Sequence, residues 1–175
     1  MRRRDLEHII RAAATIADDD EIIVIGSQAI LGQFPDAPAA LCVSNEADVF
    51  PKNKPERTDL IDGSIGEGSP FHETYGYYAQ GVGAETATLP AGWQGRMVPV
   101  RSANTRDATG WCLEAHDLVL SKWYAARDKD RRFNRAAALA GLVGQALLLE
   151  RLGAMPIDAA RADQIAREIR ASFLP

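Results

Sequence analysis

Residues 21–31, Glu-Ile-Ile-Val-Ile-Gly-Ser-Gln-Ala-Ile-Leu, decide how the rest of the chain is read. Glu21 to Ile25 is a short, continuous β-branched run, the pattern of a strand buried on both faces. Gly26-Ser27 interrupts it and Gln28 to Leu31 reads as helix, so the segment is strand, tight turn, helix. Upstream, Leu6, Ile9, Ile10, Ala13, Ala14 and Ala17 recur at helical spacing and predict an amphipathic helix ending at Asp18-Asp19-Asp20. Downstream, Pro35 and Pro38 end the second helix, and the alternation in Ser44 to Phe50 predicts a strand that Pro51 stops. Pro55 to Asp62 reads as a short helix, followed by a loose loop through Gly63, Gly66, Gly68 and Pro70. Three short strands are expected at Tyr77 to Gln80, Ala84 to Leu89 and Arg96 to Val100. A seam at Thr105 to Leu113 leads to helices at Glu114 to Arg131, Arg132 to Leu152 and Pro156 to Phe173. The order predicts an α+β fold: a sheet with flanking helices over residues 1–105 and a C-terminal helical part over 106–175, packed as one compact unit.

Composition narrows the function classes. The chain has 175 residues, 46% of them hydrophobic and 25% charged, as in an ordinary globular domain rather than a disordered or disulfide-scaffold chain. The formal net charge of −4 argues against a protein that coats polyanions generally, so a nucleic acid would need a local patch. The acidity is N-terminal. Ten Lys/Arg against sixteen Asp/Glu up to Leu113 leave −6, whereas ten against eight from Glu114 onward leave +2. Cys42 and Cys112 have no zinc-ligand or disulfide-framework spacing. The longest apolar run, Ala136 to Leu149, is broken by two glycines and Gln145, and the Met1-Arg-Arg-Arg start is not followed by an apolar segment, so no membrane span and a cytoplasmic protein are expected.

Several residues could carry chemistry. Glu46 and Asp48 stand two apart on a predicted strand, which puts their carboxylates on one face. Adjacent carboxylates repel, and a hard cation such as Mg²⁺ bridges them while keeping positions for phosphate oxygens. An isolated pair of this kind is also common by chance, as an exposed acid beside a turn cap. Gly26-Ser27 between strand and helix suits phosphate, because glycine lets a ligand approach the backbone and free amides attract anions; the plainer reading is a turn glycine and an N-cap serine. In the charged helix Lys122 and Lys129 are seven apart and share a face, and Arg127 and Arg131 share another, with Asp128 and Asp130 between. These could hold a triphosphate or a nucleic-acid backbone, or form a solvated face with local ion pairs. His8, His72 and His116 have no mutual metal spacing. Trp93, Trp111, Trp123, Tyr75, Tyr77 and Tyr78 could stack a base, although aromatic residues at such positions usually serve the core.

The strings Ile25-Gly-Ser-Gln-Ala-Ile-Leu31 and Ser44-Asn-Glu-Ala-Asp-Val-Phe50 together resemble the nucleotidyltransferase superfamily of the DNA polymerase β type, in which a hydrophobic residue and Gly-[Gly/Ser] open a helix and an acid-x-acid pair follows on the next strand. The segments Leu89 to Val100 and Glu114 to Arg131 are similar to its small bacterial, toxin/antitoxin-associated branch. The resemblance implies that Gly26 and Ser27 cradle the triphosphate and that Glu46 and Asp48 bind metal, with Glu46 standing where the family more often has Asp. It implies a third carboxylate on a neighbouring strand. Glu85 is the only acid in the Tyr77 to Val100 strand group, and if Thr86 or Thr88 takes that place the general base is missing. The expected catalytic set is therefore Glu46, Asp48 and Glu85, with Lys122 and Lys129 on the nucleotide and Asp117, Lys122 and Asp130 as the charged-helix positions. Two Mg²⁺ ions, an NTP substrate, a hydroxyl acceptor on RNA such as tRNA, on protein or on a small molecule, and a toxin or antitoxin partner are implied likewise. A catalytically weak nucleotidyltransferase-fold binding or regulatory module is the alternative.

Overall fold

The structure, a computed structural model, describes residues 1–174. Its elements in chain order are α1 (Arg3–Ala17), β1 (Glu21–Ile25), α2 (Ile30–Gln33), β2 (Glu46–Pro51), α3 (Thr58–Ile65), α4 (Pro70–Tyr75), β3 (Tyr78–Gly81), β4 (Val98–Val100), β5 (Thr109–Cys112), α5 (Ala115–Ala125), α6 (Asp128–Leu139), α7 (Gln145–Leu152) and α8 (Ala159–Ser172). The strands form one mixed sheet in the order β3-β2-β1-β5-β4. β1 runs antiparallel to β2 and parallel to β5, β3 is parallel to β2, and β4 is antiparallel to β5. The α+β class read from the sequence is the observed one.

The all-apolar run of β1 has the environment its composition demands, since Ile22, Ile23, Val24 and Ile25 are all buried at the centre of the sheet. α1 covers the sheet with Leu6, Ile9, Ile10, Ala13 and Ala17, each 0% exposed. Its approach is so close that a Cβ on Gly110 of β5 would collide with the Ile10 side chain, which accounts for a glycine inside a central strand. The buried side chains of α5, α6, α7 and α8 belong to the same hydrophobic cluster as those of the sheet. No described helix is long and apolar enough to cross a membrane.

The structure corrects five local expectations. Thr109–Cys112 lies beyond the expected sheet boundary at residue 105 and is not a seam: it is a strand hydrogen-bonded between β1 and β4. Ala84 to Leu89 is not a strand: the sheet ends at β3 with no strand paired beyond it, and residues 84–86 make a 3-10 turn instead. The stretch around Gly63 and Pro70 is not a loose loop. Gly63 lies within α3, and α4 begins at Pro70 with Ser69 Oγ accepting from the His72 N–H. The charged helix breaks at Ala126, in the left-handed region at φ 57, so Lys122 and Lys129 lie on different helices. The alanine/leucine-rich helix likewise breaks near Gly141, at φ 67.

α5 is tied down at its start by charge. Glu114 caps it, accepting from the His116 N–H at 3.0 Å and from His116 Nδ1 at 2.7 Å, and it pairs with Arg151 of α7. Gly144 N–H donates to His116 Nε2, which places the imidazole proton on Nδ1. Asp117, 1% exposed, accepts from Arg96 at 2.8 Å and from Arg151 at 3.0 Å. Burial alone would raise the Glu114 carboxyl, but the His116 and Arg151 bonds outweigh it and pull it down to about 2. Because that lies below an unfolded glutamate, the contribution is complete above about pH 5 and disappears as pH falls toward 2. Glu114→Gln should therefore lower stability by about 1–3 kcal/mol at neutral pH, with the gap from wild type closing in acid, as followed by urea denaturation across pH.

Candidate functional site

The cleft begins where β1 ends. Register pairs Ile25 with Asp48 across the antiparallel β1–β2 ladder, so the Gly26 turn emerges directly beside the second acid of the Glu-x-Asp pair. Gly26 has φ 69 and ψ −173, a backbone region that only glycine enters readily, and a Cβ there would lie inside the Asp48 carboxylate. Ser27 opens a 3-10 turn through Ala29 that runs into the four-residue α2. The expected strand-turn-helix is present, with a helix much shorter than the sequence suggested.

On β2, Glu46 and Asp48 share a face. Register sets Tyr78 beside Glu46 and Gln80 beside Asp48 on the parallel strand β3. Tyr78 donates its phenol proton to Glu46 Oε2 at 3.1 Å. The Asp48 carboxyl is pushed up to about 7, first by burial and then by the neighbouring Glu46, with Lys122 and Lys129 opposing the rise. Two carboxylates in this relation, with two ammonium groups close enough to be felt, have the donor set that Mg²⁺ takes together with phosphate oxygens.

The opposite wall is basic and comes from the broken charged helix. Asp130, fully buried, accepts from Lys122 Nζ at 3.0 Å and from Arg127 Nε at 2.6 Å. Burial would raise the Asp130 carboxyl, but these two bonds hold it below its ordinary value. Burial pulls the Lys122 ammonium down while Asp130 opposes that shift, and Lys122 also lies 4.7 Å above the Phe133 ring. Lys129 and Arg132 extend this wall. The cleft, open to solvent on one side, has a volume of about 890 Å³ and is lined by Gly26 and Ser27, by Glu46 and Asp48, by the four cations, and by an apolar side that includes Leu41, Val43 and Phe133. That volume is in the range of small-molecule sites.

The structure therefore brings six of the sequence-derived positions to one cavity: Gly26, Ser27, Glu46, Asp48, Lys122 and Lys129. Glu85 is elsewhere. It sits exposed on the 3-10 turn, its carboxylate folded over Gly83, while Thr86 faces the cleft. Beside Asp48, where a neighbouring strand could present a third acid, stands the amide Gln80, and among the described residues no group of three or more His, Cys, Asp and Glu could hold a metal. Asp117 lies outside the cleft, in the Arg96–Arg151 cluster, whereas Asp130 acts from behind the wall through Lys122 and Arg127. Sequence reasoning passed over Arg132, Phe133, Gln80 and the Tyr78–Glu46 bond. The three-residue spacing of Arg127 and Asp130 was a usable signal for that pair; the Tyr78 contact crosses 32 residues and had none.

The site is thus a Gly-Ser turn set against an acid-x-acid strand of a mixed sheet and faced by lysines. A family model described as "nucleotidyltransferase of unknown function (DUF6036)" matches residues 4–171, and the chain belongs to that family. No curated protein and no solved structure matches it.

Two consequences are measurable without any ligand. Gly26→Ala should cost about 1–3 kcal/mol in chemical denaturation, since it adds strain at a positive φ and displaces the Asp48 carboxylate. For Asp48, a folded-state value near 7 against about 4 when unfolded means that the native state holds the proton more tightly, so wild-type stability falls as pH rises between those values. Asp48→Asn should then be more stable than wild type by about 1–2 kcal/mol at about pH 8 in chelator, and equal to it near pH 4, in thermal melts.

Proposed function

We propose that this cleft binds a magnesium-loaded nucleoside triphosphate and transfers its nucleoside monophosphate to a hydroxyl acceptor, releasing pyrophosphate. The observation that carries the reading is the convergence of the Gly26–Ser27 turn, the Glu46–Asp48 pair and the Lys122/Lys129 wall on one cavity. Gly26 admits the phosphate chain close to the backbone, and Ser27 offers a hydroxyl beside it. Lys122, Arg127 and Lys129 neutralise the phosphates, with Asp130 keeping the first two aimed inward. The Leu41, Val43 and Phe133 side accepts the base and sugar.

Glu46 and Asp48 are the residues that would hold magnesium, the phosphate oxygens completing its shell, and a second ion would take its remaining ligands from the nucleotide. Bound there, the ion supplies positive charge at the α-phosphoryl group as the new bond forms. The acceptor is RNA such as tRNA, a protein side chain or a small molecule, and a toxin or antitoxin chain is a partner.

A second reading, a nucleotide-binding regulatory module with little catalysis, is favoured by one observation: the residue beside Asp48 on β3 is Gln80, which cannot take a proton from an attacking hydroxyl. Calorimetric titration with Mg-NTP and a transfer assay with α-labelled NTPs on cellular RNA and protein separate the two. The expected outcome is NTP binding by wild type, label moved to an acceptor, and at least about 100-fold loss of transfer in Asp48→Asn with folding intact. Binding without transfer supports the module, and unchanged NTP binding by Asp48→Asn would overturn the cleft assignment.

A further inference from the structure

We propose that Tyr78 is a positioning residue that fixes the Glu46 carboxylate in the orientation a divalent cation requires; this rests on the metal-binding reading of the Glu46–Asp48 pair given above. A glutamate has one more rotatable bond than an aspartate, so at a metal site it must be restrained or it loses its orientation. Here Glu46 is restrained at both ends. Its backbone N–H donates to Ser44 Oγ at 3.1 Å, and its Oε2 accepts from the Tyr78 hydroxyl at 3.1 Å.

The tyrosine is itself held. Parallel pairing of β2 with β3 sets Tyr78 directly beside Glu46. The His72 ring of α4 packs on the Tyr78 ring, centroids 4.6 Å apart at 50°. The imidazole is in turn fixed by the Gly68 N–H, which donates to its Nδ1 at 3.1 Å, and the helix carrying it is capped by Ser69. A chain of contacts therefore runs from the loop at Gly68 through His72 and Tyr78 to one carboxylate oxygen of Glu46. An aspartate at position 46 would not reach the same phenol, so the tyrosine and the longer acid form a matched pair. Tyr78 does not line the cleft and touches neither nucleotide nor acceptor; it acts through Glu46.

The test is binding of Mn²⁺ together with a nonhydrolysable NTP by the full-length chain, read by the broadening of the Mn²⁺ electron paramagnetic resonance signal and by the tyrosine ultraviolet difference spectrum. Tyr78→Phe keeps the ring against His72 and should leave the melting temperature near wild type, while weakening Mn²⁺ binding roughly 10-fold and removing the tyrosine difference signal. Made in a Glu46→Asp background, the same substitution should have no further effect, because the bond it removes is already gone. A merely structural role would cost the same factor in both backgrounds, and that result overturns the proposal. So does wild-type affinity in Tyr78→Phe when wild type binds and Asp48→Asn does not, an outcome that leaves the metal site standing. If wild type itself binds no Mn²⁺, the metal reading and the Tyr78 inference fall together.

Discussion

The contact between the Gly26 turn and the Asp48 carboxylate is the constraint on which the cleft depends. It needs three things at once: an antiparallel β1–β2 register that sets Ile25 opposite Asp48, a backbone at φ 69 that turns the chain away at once, and a residue with no side chain to occupy the carboxylate's place. Move the register by one residue and the acids swing to the other face of the sheet. Add a methyl group and the closest approach is lost. The burial of β1 in the hydrophobic core, with α1 packed against it, holds that register, so the core has a direct functional consequence.

Electrostatics completes the arrangement in two layers. In the front layer, Glu46 and Asp48 are forced together and Asp48 resists ionisation, a cost that a cation would remove. Behind the opposite wall, Asp130 does the reverse: a fully buried carboxylate is compensated by Lys122 and Arg127, and in compensating it those cations are held at the cleft. The two layers face one another across a single cavity. The acids of the cleft, Glu46 and Asp48, come from the acidic N-terminal part of the chain, and its cations, Lys122, Arg127, Lys129 and Arg132, from the basic C-terminal part, a contrast that a net charge of −4 conceals.

Much of this was legible in residue order. The periodicity of α1, the β-branched run of β1, the Gly-Ser turn and the alternation of β2 are local patterns, and each identifies its element because neighbouring residues alone create it. Other elements left no local trace. β5 is four residues long with a glycine inside, and becomes a strand because β1 and β4 offer it hydrogen bonds on both sides. Ala84 to Leu89 shows the opposite case, an alternating pattern denied a partner. Ala126 breaks the charged helix in a left-handed conformation with no Gly or Pro to announce it. Lys122 and Lys129 both line the cleft, but from two helices rather than from the single helix face that their spacing suggested.

What the order of residues settled was chemical content: a buried strand, a turn that only glycine permits, two acids on one face and a basic C-terminal stretch. Folding in three dimensions decided the distances. Only strand register could put Gln80 rather than an acid next to Asp48, send Glu85 out of the cleft, and lay the Tyr78 hydroxyl on Glu46. The reason is physical: side-chain identity and short-range periodicity are written along the chain, whereas pairing across 32 residues is the outcome of packing a whole core, which no single segment encodes.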